Sequence, residues 1–175
     1  SEVNVTGTLN VLLAARDSGV RRVVFASSWS VYGTGAELPV KEEAPPNPIS
    51  PYGVAKLAAE RFSVSFTRVY GLETVALRYF NVFGPRQDPT SQYAAVVPRF
   101  IRAIADGLPV TVHGDGEQSR DFTYVENVVR ANLLAADAPD GAGRVLNIAT
   151  GGSETVNALA ETIGSILDKP VEKTF

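Results

Sequence analysis

The stretch Arg21-Arg-Val-Val-Phe-Ala-Ser-Ser28 decides the fold. Val23, Val24 and Phe25 make a short, uninterrupted apolar run, which reads as a buried strand of a parallel sheet. Ligands of parallel sheets collect at the carboxyl ends of the strands, and here that end carries two hydroxyls, Ser27 and Ser28. On the amino-terminal side, Val3, Val5, Leu9, Leu12 and Ala15 follow helical spacing, with Gly19 placed to end the helix. On the other side, Gly33 to Pro51 is loop, because it carries Pro39, Pro45, Pro46, Pro48 and Pro51 around the charged patch Lys41-Glu-Glu43. A loop of that length is usually functional or disordered. Tyr52 to Arg68 then reads as a helix with the apolar stripe Ala55, Ala59, Phe62 and Phe66, and Thr74-Val-Ala-Leu-Arg-Tyr-Phe80 as a strand. Strand, helix and strand in that order imply a parallel crossover.

Beyond Asn81 the pattern loosens. A helix is expected from about Val97 to Ala105, and a short strand over Val110-Thr-Val-His113. Asp121-Phe-Thr-Tyr-Val125 leads into an amphipathic helix carrying Val128, Val129, Ala131, Leu133 and Leu134. Arg144-Val-Leu-Asn-Ile148 is another strand and Val156 to Leu167 a last helix. The alternation predicts an α/β fold, a doubly wound parallel sheet with a smaller lobe over its carboxyl edge and the chemistry in the cleft between them.

Composition narrows the function. A chain of 175 residues with 45% hydrophobic content can bury one real core. A net charge of −3 with scattered cations argues against nucleic acid, whose binding relies on clustered cations. Arg21-Arg22, the one dense basic pair, reads as the neutralised end of a helix rather than a phosphate site. The absence of cysteine excludes disulfides and thiolate metal sites. His113 is the sole histidine, so no two-histidine metal site can form, no metal is expected, and His113 reads as a strand-end residue. No apolar run approaches ~18 residues and no signal peptide is visible, which favours a cytoplasmic protein with no membrane contact. The chain lacks methionine, begins inside a helical pattern and stops just after a helix, so it is expected to be a fragment.

Within Ser50-Pro-Tyr-Gly-Val-Ala-Lys56, Tyr52 and Lys56 lie four residues apart and share one helix face. A free phenol titrates near ~10, and a neighbouring cation favours its ionised form. Bringing it to neutrality takes roughly 3 units, about 4 kcal/mol, which needs partial exclusion of water and a second positive charge such as an oxidised nicotinamide. Six tyrosines and four lysines in the chain make the spacing alone an ordinary coincidence. Ser28, 24 residues before Tyr52, supplies context. This order of serine, tyrosine and lysine resembles the catalytic set of the short-chain dehydrogenase/reductase superfamily, in its extended branch of NAD-dependent nucleotide-sugar epimerases and dehydratases.

The resemblance continues along most of the chain. Asn4-Val-Thr-Gly-Thr8 is similar to the branch's Asn-x-x-Gly-Thr helix, which places Asn4 near the cofactor; on the residues alone Asn4 could equally be a helix cap. Phe25-Ala-Ser-Ser-Trp-Ser-Val-Tyr-Gly33 resembles the matching stretch of UDP-glucose 4-epimerases, making Ser28 the hydroxyl that bonds the reacting sugar oxygen and Ser27 structural. Sugar dehydratases of the branch need an Asp-Glu pair directly after that hydroxyl position to protonate a departing hydroxide and remove a proton. Those places are Trp29 and Ser30 here, which argues against dehydration. Trp29 also departs from the small residue usual in epimerases; it either narrows the sugar pocket or packs under the proline-rich loop.

Arg78-Tyr-Phe-Asn-Val-Phe-Gly-Pro-Arg-Gln-Asp-Pro89 is similar to the segment in which an aromatic borders the nicotinamide and the next asparagine contacts substrate. By that match these are Phe80 and Asn81, with Gln87 a weaker substrate contact; by position alone Asn81 is a turn residue. Tyr93–Phe100 and Gly114–Val125 look like segments of UDP-N-acetylglucosamine 4-epimerases, in which Arg120 would clamp the diphosphate through its planar fork of donors. Without the resemblance, Arg120 reads as a salt bridge to Asp121 or Glu117. The phosphate-binding Gly-x-x-Gly-x-x-Gly fingerprint is absent from the 175 residues.

The resemblance implies a Rossmann-like sheet, incomplete here, with residues 1–80 and 121–150 in the NAD-binding domain and 81–120 and 151–175 in the substrate lobe. It further implies an isomerase of carbohydrate metabolism: a homodimeric UDP-sugar 4-epimerase, with Tyr52, Lys56 and Ser28 catalytic and in contact with NAD. The alternatives are UDP-glucuronate decarboxylation or epimerisation by the same residues, or a dinucleotide-sensing protein without turnover. A piece this short is expected to hold its cofactor poorly by itself.

Overall fold

β-Branched and aromatic residues bring the Val23–Phe25 run into strand β1 (Arg22–Ser28), which follows a helical stretch of π turns (Glu2–Gly7) continuing as α1 (Thr8–Asp17). The computed structural model describes residues 2–90 and 95–175, so Tyr93 and Ala94 of the resembling segment lie outside the described residues. After β1 come a 3₁₀ turn (Trp29–Val31), the proline-rich loop, α2 (Pro51–Tyr70) and β2 (Glu73–Tyr79). Then follow β3 (Asn81–Phe83), α3 (Val96–Ala105), β4 (Val110–Thr111), β5 (Ser119–Arg120), β6 (Phe122–Tyr124), α4 (Val125–Asp137), β7 (Val145–Ile148), β8 (Glu154–Thr155), α5 (Val156–Leu167) and β9 (Lys173–Thr174).

The chain divides into two units, Ser1–Phe80 with Glu126–Ile148, and Asn81–Val125 with Ala149–Phe175. The first contains a wholly parallel sheet of order β1-β2-β7, with Ser28 in register with Tyr79 and Tyr79 with Ile148. Alternation along β2 sorts its side chains to opposite faces. Val75 and Leu77 pack with Ala131 and Ala135 of α4, whereas Thr74 and Arg78 hydrogen-bond to Ser63 and Glu60 of α2. Helices therefore cover both faces, the doubly wound arrangement of a Rossmann-like α/β fold. A further cluster of Leu12, Ala15, Phe66 and Leu72 joins α1 to α2.

One expectation is corrected. β1 is half-buried over Arg22–Phe25 rather than buried, pairing among the described residues with β2, while β2 between two strands is buried from Thr74 to Arg78. Phe62 likewise turns partly to solvent; the inward face of α2 runs instead through Ala55, Ala59, Ser63 and Phe66.

The second unit packs Phe100 and Ile104 of α3, Val110 and Val112, and Val156, Ala160 and Ile163 of α5 into one core. Its strands are short pairs: β3 with β6 and β4 with β9 run parallel, β5 with β8 antiparallel. Among the described residues, no helix is long and apolar enough to cross a membrane and no group of three or more His, Cys, Asp or Glu could hold a metal ion.

Candidate active site

Two features of α2 bring its first turn against the end of β1. Ser50 caps the helix, its hydroxyl accepting from the Gly53 amide at 3.0 Å, and Pro51 presets the first helical residue. Gly53 is buried where a Cβ would stand 2.6 Å from the Ser30 carbonyl oxygen; only glycine lets the Tyr52 turn approach the Ser28–Ser30 backbone this closely. At the far end Gly71, at φ 72°, terminates α2 and turns the chain into β2.

Ser28 is buried at the tip of β1, and its Oγ accepts from the Ser30 amide at 3.2 Å and from Ser30 Oγ at 3.0 Å. Both bonds use Ser28 as acceptor, leaving its own O–H to be donated elsewhere. Tyr52 is 52% exposed, so its phenol meets solvent rather than packed hydrocarbon. Lys56 is partly buried, with Nζ 4.9 Å from the centre of the Phe25 ring and 6.0 Å from that of Tyr52, both within cation–π range. Burial lowers the Lys56 pKa from its ordinary value. Among the described residues no carboxylate forms a salt bridge with Lys56.

Phe80 follows β2, its amide donating to Ile148 O at 3.2 Å, and its ring lies 6.5 Å from that of Trp29 at a tilt of 32°. An aromatic wall thus adjoins Ser28 at the carboxyl end of the sheet. Asn4 lies inside the π turns, not at a cap, and its carbonyl accepts from Thr8 Oγ1 at 2.8 Å. The first unit thus holds Asn4, Ser28, Tyr52, Lys56 and Phe80; Asn81, Gln87 and Arg120 belong to the second.

Within the second unit, the Asn81 amide donates to Asp121 O at 3.1 Å, bringing Asn81 beside the Arg120-Asp121 backbone. Gln87 uses both ends of its amide on its own turn: Nε2 donates to Val82 O at 3.1 Å and Oε1 accepts from the Gly84 amide at 3.3 Å. The partly buried Arg120 donates from Nη1 to Ser119 O at 2.7 Å. The Asp121 carboxylate accepts from the amides of Thr150 and Gly151 and the hydroxyls of Thr123 and Thr150, and Glu117 accepts from Asn157. His113 is exposed just beyond β4.

The sequence reading overlooked one cluster. Arg78 and Glu60 are 2% and 0% exposed and form a two-pronged ion pair, Nη2 to Oε1 at 2.7 Å and Nε to Oε2 at 2.9 Å. Burial opposes the Arg78 charge, but hydrogen bonds to Glu60 and Tyr32 outweigh it and hold its pKa above the ordinary value. The signal was available: opposite charges on the inward faces of a helix and a central strand must pair.

Residues 1–149 match the NAD dependent epimerase/dehydratase family. The UDP-glucose 4-epimerase of Mycolicibacterium smegmatis is 39% identical over 174 residues, covering 99% of this chain and 55% of its own length. The structure of UDP-N-acetylglucosamine 4-epimerase from Methanobrevibacter ruminantium M1, in complex with UDP-N-acetylmuramic acid, superposes with a TM-score of 0.94 at 43% identity, over 99% of this chain and 56% of that one. That of Thermus thermophilus UDP-glucose 4-epimerase in complex with NAD gives 0.88 at 38% identity, over 99% and 57%. The chain spans a little over half the length of the relatives it matches.

Proposed function

This chain belongs to the NAD dependent epimerase/dehydratase family, and on that premise we propose that the whole protein is an NAD-dependent UDP-sugar 4-epimerase, converting UDP-glucose and UDP-galactose or their N-acetylated counterparts. The observation that carries this reading is the half-buried Lys56 ammonium, unpaired by any described carboxylate and beside the Tyr52 ring. A desolvated cation there fits the hydroxyls of the nicotinamide ribose and stabilises a phenolate. Lys56, Phe80 and Asn4 would hold the nicotinamide end of NAD, while the 175 residues carry no glycine fingerprint for its pyrophosphate. Bound NAD supplies the acceptor, and then the donor, of the sugar C4 hydride.

The chain's own residues handle the proton. Tyr52 takes it from the sugar 4-hydroxyl and returns it at the end of the cycle. Lys56 lowers the cost of the phenolate, and Ser28, already accepting twice from Ser30, donates its O–H to the sugar oxygen and orients it. Asn81, Gln87 and Arg120 form the substrate set in the second unit, Arg120 toward the diphosphate and Gln87 through the turn it holds. The units accordingly divide as cofactor domain and substrate lobe. The exposed apolar residues Val11 of α1 and Val54 and Phe62 of α2 support a homodimer, and the whole protein is proposed to be cytoplasmic.

Product analysis of the full-length protein with UDP-galactose, UDP-N-acetylgalactosamine and UDP-glucuronate tests the reading. Inversion at C4 of UDP-galactose or UDP-N-acetylgalactosamine without net NADH is the expected outcome; turnover of the glucuronate alone, by epimerisation or with release of carbon dioxide, or no turnover of any of the three, overturns it.

A further inference from the structure

The helix face that carries Tyr52 and Lys56 also carries Glu60, since residues at intervals of four lie above one another on a helix. Glu60 is anchored in two directions. Its Oε2 accepts from Ser27 Oγ at 2.7 Å, reaching β1 at the residue before Ser28, and both its oxygens accept from Arg78, two residues before Phe80 on β2. The network extends further: Arg78 Nη1 donates to Tyr32 Oη at 2.7 Å, Tyr32 Oη to Asn147 Oδ1 at 2.7 Å, and Asn147 Nδ2 to Val40 O in the proline-rich loop at 3.0 Å. The Arg78 guanidinium also lies over the Tyr32 ring, 4.6 Å from its centre. Ser27, Arg78 and Asn147 occupy matched register positions across β1, β2 and β7, one row before Ser28, Tyr79 and Ile148.

Stability does not account for such a cluster. Apolar residues of similar volume usually replace a buried ion pair at no loss, because the charges give back their attraction in lost hydration. What hydrocarbon cannot supply is direction, and a two-pronged Arg–carboxylate pair fixes both distance and plane. We infer that Glu60 is a positioning residue: through Ser27 and Arg78 it holds α2 at one separation from the tips of β1 and β2, and so holds the Tyr52–Lys56 pair in place relative to Ser28. This rests on the assignment of those three residues to proton transfer.

The mildest perturbation is Ser27→Ala, which deletes one contact of Glu60 and leaves the ion pair intact. In the full-length protein it is expected to lower kcat about tenfold or more with KM for the UDP-sugar unchanged, since small misplacements of reacting groups cost rate rather than binding. The melting temperature should fall by only a few degrees, and Ser27→Thr, which keeps the hydroxyl, should recover kcat. A crystal structure of Ser27→Ala should show Ser28 displaced from Tyr52 by roughly 0.5 Å, about the tolerance of a working site. A wild-type kcat, or a loss of kcat that tracks melting temperature and is not recovered by threonine, overturns the inference. The crystallographic displacement needs no turnover: if the unsubstituted protein epimerises nothing, the functional reading fails, and the position of Ser28 still decides the positioning role.

Discussion

Replacing Lys56 by methionine separates what this lysine does for catalysis from what it does for the fold. Its Nζ stands 6.0 Å from the centre of the Tyr52 ring. At that separation, and at an effective dielectric of about 20, a cation and a phenolate attract by about 3 kcal/mol, or roughly a hundredfold in rate. Lys56→Met in the full-length protein should therefore reduce kcat for UDP-galactose about a hundredfold. Stability should move the other way. Burial depresses the Lys56 pKa below its ordinary 10.5, so the folded chain disfavours the charged form. That penalty is fully present below the folded pKa and is relieved as pH rises through it towards 10.5. At pH 7 methionine removes the penalty while keeping most of the stem, and the melting temperature should stay level or rise, with a gain on the order of 1 kcal/mol. Steady-state kinetics and calorimetry on the same preparation check both halves. A variant that keeps wild-type kcat, or that loses rate only as far as it loses structure, refutes the assignment.

Two further substitutions probe the frame of the site. Arg78→Met strands the fully buried Glu60 carboxylate and should destabilise the fold by about 3–5 kcal/mol, seen in urea unfolding, with most of the loss restored by adding Glu60→Leu. Gly53→Ala should also destabilise, by about 1–3 kcal/mol, despite alanine's better helix propensity, because its Cβ would meet the Ser30 carbonyl oxygen at 2.6 Å. The same change should lower kcat by pushing the Tyr52 turn away from Ser28; higher stability with unchanged kcat would contradict that packing.

The elements legible in the sequence were those with strong local signals. α2 carries a serine cap, a proline at its first position and a closing glycine, and the long strands and helices β1, β2, α3 and α5 carry clear apolar runs or periodicity. Of the six two- and three-residue strands, β4 fell within the apolar run at Val110, while β3, β5, β6, β8 and β9 were not legible, because strands that short exist through their pairing partners rather than through a period of their own. At the site, the sequence pointed to Ser28, Tyr52 and Lys56 through spacing and motif, but not to Glu60 and Arg78, whose significance lies in a contact between residues 18 apart on two different elements. The side-chain role of Gln87 in closing its own turn was likewise hidden until the turn was seen.

Removing a single oxygen tests the central claim most directly. With the full-length Tyr52→Phe protein and UDP-galactose, followed by anomeric-proton NMR of the product, the account predicts a loss of turnover of about 10²–10⁴-fold, the usual contribution of a positioned acid–base group, with UDP-sugar affinity and melting temperature near those of the unsubstituted protein. Interconversion at the unsubstituted rate would contradict it.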